Sequence, residues 1–264
     1  MKLIITGLAS AAAALASAQF SNDVLHLRGS INPATHAGAL NGAPGSTLTV
    51  TNTFPTHVEF SDSNVDNATP PQYANQNNWN LSPNGTADST FSSTASWSLS
   101  FNLNLSAFGT EGLNQEAGFW LNNSGGTDQP GQFIVKSDGE LVQFGGNLPF
   151  HDFVLNGHSA GNPNNYQLGT TLFMSMIYNG TTGMMTSSVI YGNDTSSFTG
   201  AASFIGGYEV GGYELAVVDT ANTNANGADA VFTNIVAAPE PASMAALALS
   251  AVALIRRRRN AKRS

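Results

Sequence analysis

The sequence predicts an all-β protein, an antiparallel β-sandwich, from three observations. Residues 97–105 alternate apolar and polar side chains over nine positions, as expected of a strand with one buried face. Short apolar runs separated by Gly-rich or Asn-Gly turns recur along the chain. No window between residues 19 and 237 has a sustained helical period with caps. Many short antiparallel strands normally pack as two sheets around one core.

The composition is that of a globular chain. Its 264 residues are 41% hydrophobic and 10% charged, which allows a sizeable core and excludes simple disorder. The chain has no Cys, so a disulfide framework, a thiolate zinc site and a cysteine nucleophile are excluded.

A β-hairpin is predicted around Asp138-Gly139, which suits a two-residue type I′ turn. That turn would place Val135 opposite Val142 and Phe133 opposite Phe144, all on one face. The remaining strand candidates are residues 48–51, 58–60, 119–121, 172–178, 188–191, 204–208, 213–218 and 231–236.

Residues 61–93 are dense in Asn, Asp, Pro, Thr and Ser and have few apolar positions. This composition predicts a long surface loop, or a pair of loops, that closes one sheet edge. Trp79 is apolar enough to fold back onto the sandwich.

The first 18 residues have the pattern of a secretory signal peptide. Lys2 precedes an apolar stretch up to Leu15, and Ala16 and Ala18 form a small-residue site for signal peptidase before Gln19. The mature chain is therefore expected to be exported. An uncleaved N-terminal anchor is the alternative.

Residues 238–264 have three parts in order: Pro239, Glu240 and Pro241, then the apolar stretch 242–255, then a basic tail at 256–264. The two prolines favour an extended, accessible peptide. The apolar stretch predicts a helix outside the sandwich that inserts transiently into the membrane. The positive-inside rule keeps the basic cluster cytoplasmic. That cluster consists of Arg256, Arg257, Arg258 and Arg259.

This arrangement resembles the PEP-CTERM sorting signal of exopolysaccharide-producing Gram-negative bacteria. The resemblance implies recognition of the motif at 239–241 by a membrane-embedded exosortase, cleavage nearby, and transfer of the body to the outer surface or matrix. The predicted helix is shorter than a full membrane span, since its 14 residues reach roughly 21 Å against a ~30 Å hydrocarbon core. A permanent C-terminal tail anchor is the alternative.

Charge is unevenly distributed. Residues 19–238 contain 16 Asp and Glu against Arg28 and Lys136, a net charge of −14, whereas the tail carries +5 and the leader +1. So acidic a body repels phosphate backbones, which excludes nucleic acid as a partner. Metal cations and basic partners fit the charge better.

The strand order from residue 96 to 236 resembles concanavalin A-like jelly rolls of the laminin-G and lectin or glucanase type. Glucanases of that family use carboxylates in the order E-x-D-x-x-E. The pairs Glu111 with Glu116 and Glu209 with Glu214 have other spacings. The resemblance thus implies the fold without the catalytic motif.

No catalytic residue is predicted. Residues 157–161 fit G-x-S-x-G, but the Asn- and Pro-rich segment that follows cannot begin the helix of a nucleophile elbow. Asp62, Asn64 and Asp66 alternate like the start of a calcium loop, but the Gly and bidentate Glu of an EF-hand are missing. Turn chemistry is the favoured interpretation there, no cofactor is predicted, and bound Ca²⁺ stays open.

Two functions remain. The favoured one is an exported, non-catalytic cell-surface or matrix protein associated with exopolysaccharide, with lectin-like contacts from Trp79, Trp120 and Tyr166. The alternative is a secreted glycoside hydrolase or lyase on the same scaffold, because one fold hosts both activities.

Overall fold

Fifteen β-strands make up the regular structure in the part of the chain that the computed structural model describes. It describes residues 20–31, 39–40, 46–65, 74–108, 115–123, 130–146, 148–155, 165–202, 204, 207–217 and 226–238. The strands in chain order are β1 (Asn22–Ile31), β2 (Ala39–Leu40), β3 (Thr47–Thr53), β4 (His57–Val65), β5 (Ala74–Ser82), β6 (Trp97–Phe108), β7 (Glu116–Asn123), β8 (Gly131–Lys136), β9 (Leu141–Phe144), β10 (His151–Asp152), β11 (Thr171–Asn179), β12 (Met184–Tyr191), β13 (Asp194–Ala201), β14 (Tyr208–Val217) and β15 (Asn226–Ala238).

The strands form two antiparallel sheets. The eight-stranded sheet has the order β10-β9-β8-β7-β14-β5-β1-β2, and the seven-stranded sheet has the order β13-β12-β11-β6-β15-β4-β3. The predicted antiparallel β-sandwich is confirmed. The part of the chain that the structure describes contains no helix, and correspondingly none long and apolar enough to cross a membrane. The predicted C-terminal helix at residues 242–255 lies outside the described residues.

The core lies between the sheets and is rich in aromatic side chains. Trp79 on β5 is fully buried and contacts Phe101 on β6 and Phe232 on β15 across the interface, with ring centroids 6.0 and 5.7 Å apart. Phe101 in turn packs on Phe119 of β7 at 4.4 Å. The alternation over residues 97–105 predicts this burial correctly, because every second side chain of β6 faces the core.

The prediction of a continuous surface loop over residues 61–93 is wrong. β4 extends to Val65, and β5 is an interior strand of the eight-stranded sheet, paired with β1 and β14. The Asn-rich composition that suggested a loop is tolerated because side chains of β5 are hydrogen-bonded in the buried interior, as Asn75 is to Ser46 at 2.9 Å. Residues 66–73 lie outside the described residues.

The predicted hairpin exists, but its register is shifted by one residue. The Gly139 N–H donates to the Lys136 carbonyl, and the Lys136 N–H donates to the Glu140 carbonyl, which makes a three-residue loop with Gly139 at φ +89°. Ile134 therefore lies opposite Val142 and Phe133 opposite Gln143. Because side chains alternate between faces, this shift sends Val142 to the outer face, not to the core.

Two glycines let β14 approach its neighbour closely. A Cβ on Gly211 would lie 1.8 Å from the Trp79 carbonyl oxygen, and one on Gly212 would lie 2.7 Å from the Trp79 ring. The predicted strand at 204–208 is wrong in extent, since β14 begins at Tyr208. β13 was not predicted from the sequence.

Candidate functional site

The outward face of the eight-stranded sheet collects aromatic, amide and carboxylate side chains. On this face Trp120 of β7 lies opposite Gly211 of β14, and Tyr213 of β14 lies opposite Gly118 of β7. Each ring thus extends over a glycine on the neighbouring strand. The two rings pack together with centroids 5.0 Å apart, which is a favourable aromatic pair.

A hydrogen-bonded chain crosses three strands beside this pair. The Gln132 amide donates to the Tyr213 hydroxyl at 2.9 Å, and that hydroxyl donates to Glu116 Oε2 at 3.1 Å. Burial raises the pKa of Glu116 to about 7, although the Tyr213 hydroxyl and Lys136 lower it. Burial also raises the pKa of Tyr213 well above its usual value. Tyr213 is therefore neutral at physiological pH. Glu116 changes its protonation state close to that pH.

A second polar cluster lies where β5, β14 and β7 run side by side. Glu209 Oε2 is 3.3 Å from the Asn122 amide nitrogen and 3.5 Å from that of Asn80, and Asn78 donates to Asn80 at 3.2 Å. Burial raises the pKa of Glu209, and Asp88 raises it further. Amides and carboxylates at this spacing offer both donors and acceptors, which suits recognition of hydroxyl groups.

Lys136 and His26 of this face each contact a carboxylate. Lys136 Nζ is 2.6 Å from Glu140 Oε2, and His26 Nε2 is 3.0 Å from Asp88 Oδ1. Lys136 and Arg28 are the only Lys and Arg between residues 19 and 238. The face therefore offers an anionic ligand little compensating charge.

Burial divides the face into a floor and a rim. The floor consists of Trp120, Gln132, Ile134, Val142 and Tyr213, each at most 9% exposed. The rim is half-buried and consists of Glu116, Asn122, Lys136, Phe144, Glu209 and Leu215. A ligand approaching from solvent contacts the rim first, so the rim side chains are those to test.

The outward face of the seven-stranded sheet differs in chemistry. Its half-buried and exposed positions are dominated by hydroxyl and amide side chains, with isolated aliphatic side chains such as Ile177, 53% exposed. Residues on this face include Thr49, Thr51, Ser98, Ser100, Asn102, Ser175, Ser188 and Thr195. It provides a natural comparison surface for mutagenesis.

The structure separates the three aromatic residues expected to contact glycan. Trp120 belongs to the floor of the outward face described above and, at 7% exposed, leaves little of its ring open to a ligand. Trp79 is fully buried in the core, and Tyr166 is 4% exposed with its hydroxyl bonded to main-chain atoms of Leu105 and Thr170. The predicted contacts from Trp79 and Tyr166 are therefore wrong, because both pack between the sheets.

The remaining predicted site residues are placed only in part. Asp62 is buried between the sheets, and Asn64 lies on β4. The residues outside the described ranges are Ala16, Ala18, Asp66, Glu111, the G-x-S-x-G segment 157–161, Pro239, Glu240, Pro241 and Arg256 to Arg259. Within the ranges the structure covers, no three His, Asp and Glu side chains form a metal-binding group.

Sequence reasoning missed Gln132, Asn78 and Tyr213 as members of the face. A signal existed in β8, because Gln132 and Lys136 are polar positions in a strand that is otherwise apolar apart from Gly131, and both lie on the outward side of the sheet. The pairing of Glu116 with Tyr213, 97 positions apart, had no local signal.

No protein-family model matches the sequence, and no curated protein is similar to it. Solved structures with a similar fold include lectin II from Ulex europaeus, 14% identical with a TM-score of 0.37 over 74% of this chain and 99% of that one. They also include an alginate lyase from Corynebacterium sp., 15% identical with a TM-score of 0.47 over 83% and 94%, and a family 7 alginate lyase, A1-II′, in complex with substrate, 14% identical with a TM-score of 0.47 over 84% and 94%. These likenesses are too distant to assign an activity.

Proposed function

We propose that the mature chain is an exported, non-catalytic carbohydrate-binding protein built on a concanavalin A-like sandwich. The observation that carries the proposal is the outward face of the eight-stranded sheet, where the Trp120–Tyr213 pair is bordered by amides and carboxylates. The half-buried rim offers both kinds of contact that a sugar needs, since Glu116, Asn122 and Glu209 can hydrogen-bond hydroxyl groups and Phe144 presents an apolar side chain. The buried Trp120–Tyr213 pair supports this rim from below.

The charge of this face favours a neutral glycan. A polyuronate would meet Glu116 and Glu209 on the rim, while the Lys136 ammonium is engaged by Glu140 at 2.6 Å. Like charges close together are costly where solvent is partly excluded. Neutral polysaccharide makes hydrogen bonds to the same carboxylates without that cost.

Rim substitutions test the binding proposal. Asn122→Ala removes an amide that contacts Glu209 and leaves the floor intact, so we expect it to weaken binding of a neutral polysaccharide about tenfold. Isothermal titration against a panel of neutral glucans, mannans and galactans, with polygalacturonate as the anionic member, measures this.

The matched control is Asn102→Ala on the outward face of the seven-stranded sheet, which should bind as the wild type does. Equal binding by the Asn122 variant and the wild type would contradict glycan binding at the eight-stranded sheet. A loss of binding confined to the Asn102 variant would contradict it as well. A preference for polygalacturonate would contradict only the proposal that the bound polysaccharide is neutral.

The second candidate function is a glycoside hydrolase or lyase, favoured by the Tyr213–Glu116 pair and the Glu116 pKa of about 7, which suits a general acid or base. Binding is preferred because Tyr213 is fully buried and its hydroxyl is engaged by both Gln132 and Glu116. Release of reducing or unsaturated ends that is lost in Glu116→Gln would instead make the protein an enzyme.

We also propose that a PEP-CTERM-type signal sorts the protein to the outer surface or matrix of a Gram-negative-type bacterium. Signal peptidase would act after Ala18 and an exosortase near Pro239, Glu240 and Pro241, with residues 242–255 transiently in the inner membrane. The final partner would be polysaccharide of that matrix. Support comes from the coincidence of leader, motif, apolar stretch and basic tail.

Processing has a simple readout in the intact mass of surface-associated protein. We expect a chain that begins at Gln19 and lacks the basic tail from Arg256 onward. A recovered chain that retains residues 256–264 would contradict exosortase processing and favour a permanent tail anchor.

A further inference from the structure

The strand β13 forms one edge of the seven-stranded sheet. Within the described residues it pairs with β12 alone, in continuous register from Asp194 to Ala201. The Ala202 N–H donates to the Gly183 carbonyl at 2.9 Å, which fixes the alternation of hydrogen-bonded pairs along this ladder. The backbone N–H and carbonyl groups that point away from β12 therefore include those of Thr195, Ser197 and Thr199.

The sequence of β13 does not discourage a further strand. Natural edge strands often carry Lys, Pro or a β-bulge, each of which hinders pairing with another chain. β13 contains neither Lys nor Pro, its register with β12 is unbroken, and its one charged residue, Asp194, is the first of the strand. The side chains of Thr195, Ser197 and Thr199 are exposed. An eight-residue edge of this kind is suited to strand addition.

An exposed aromatic side chain lies beside this edge. Phe150 is 68% exposed, the largest exposed fraction of any large hydrophobic side chain in the described ranges. It follows Pro149, whose Cγ would lie 2.7 Å from a Cβ on Gly200 of β13. It precedes His151, whose ring stacks on the Phe198 ring of β13 at 4.1 Å. Both chain neighbours of Phe150 therefore lie against β13, so a protein bound along the edge can also cover this ring.

The side chains of β13 fit a second copy of the same strand. Antiparallel pairing about a two-fold axis at Ser197 places Thr195 opposite Thr199 of the second copy and Ser197 opposite its own counterpart. Hydroxyl side chains in such cross-strand positions can hydrogen-bond to each other. Asp194 lies opposite Gly200 in this register, so no like charges face each other. About six backbone hydrogen bonds would join the two copies.

We propose that the protein forms a symmetric homodimer through β13, in which two seven-stranded sheets join edge to edge into one continuous sheet. The occupant is a second copy, not a charged peptide, because residues 195–201 carry no charge that would select one. Each body has a net charge of −14 over residues 19–238, so two copies repel each other and salt should strengthen the dimer. The dimer leaves the outward face of the eight-stranded sheet open and is independent of glycan binding.

A cysteine at the two-fold axis tests the pairing directly. The chain has no Cys, so Ser197→Cys introduces a single thiol. Residues of a hydrogen-bonded antiparallel pair have Cα atoms about 5.5 Å apart, which is within the range that a disulfide bridges. We expect mild oxidation of the full chain to give a covalent dimer that dithiothreitol reverses. The matched control Ser175→Cys lies on β11, inside the same sheet, and should stay monomeric on a denaturing gel.

Sedimentation velocity of the full chain in detergent measures the association without a cross-link. We expect a monomer–dimer equilibrium that shifts toward dimer as NaCl is raised. Ser197→Lys places like charges opposite each other at the axis and should weaken the dimer about tenfold. Ser175→Lys changes the net charge equally and should dimerise as wild type does.

Three results would overturn the proposal. One is a wild type that stays monomeric at every protein and salt concentration. Another is a dimer that Ser197→Lys and Ser175→Lys affect equally. The third is a covalent dimer that forms no faster in Ser197→Cys than in Ser175→Cys, which would mean that the copies do not meet at β13.

Discussion

Replacing Trp79 with Ala is expected to lower the free energy of unfolding by about 3–5 kcal/mol. The side chain is fully buried and contacts Phe101 and Phe232 of the opposite sheet and Phe54 in the turn between β3 and β4. Removing it leaves a cavity that the two backbones cannot close, since Gly211 and Gly212 already lie against Trp79. Urea unfolding monitored by circular dichroism measures the change.

Trp120→Phe is the informative partner of this variant. Trp120 packs on Tyr213 under the rim of the outward face, so Trp120→Phe should loosen the rim and reduce glycan binding while costing less stability than Trp79→Ala. Trp79→Phe, which keeps most of the ring packing, should remain folded and bind glycan as wild type does. Unchanged stability of Trp79→Ala together with lost glycan binding would contradict the assignment of Trp79 to the core.

Stability is expected to fall as the pH rises from about 4.5 to about 7, in part because of Glu116. The folded-state pKa of about 7 lies above the ordinary value of 4.5, so the folded protein binds more protons than the unfolded chain between these values. The contribution amounts to about 3 kcal/mol at most. Chemical denaturation at pH 5, 6, 7 and 8 measures the slope.

Glu116→Gln isolates this contribution, because the glutamine does not titrate and other shifted carboxyls, such as Glu214, remain in both proteins. The variant should match wild type near pH 5 and be more stable at pH 8. Parallel pH profiles for the two proteins would mean that the Glu116 side chain is solvated like an ordinary surface carboxylate.

Strong local patterns allowed much of the fold to be predicted. The alternation in β6 is visible in the sequence because one face is buried and the other is solvated. β5 could not be predicted from the sequence because its inward-facing Asn77 is polar. Its amide is hydrogen-bonded by two carboxylates, 15 and 137 positions away in the chain. The hairpin register was predicted one residue off because Asp138-Gly139 is compatible with two- and three-residue loops.

The candidate site was less predictable than the fold. The residues around Trp79 and Trp120 in the sequence do not indicate which face of the sheet each ring occupies. The pairing of β5 and β7 with β14 places Trp79 inward and Trp120 outward. Glu209 and Asn122 meet because β14 and β7 are neighbours in the sheet although 87 positions separate the two residues. Such juxtapositions are set by topology, which local patterns do not encode.

Hydrogen exchange of the protein with and without a bound neutral polysaccharide is the most direct measurement of where the ligand lies. We expect slower amide exchange in β7 and β14, around Asn122 and Glu209, with β11 and β12 unchanged. Protection confined to β11 and β12 of the seven-stranded sheet would contradict it.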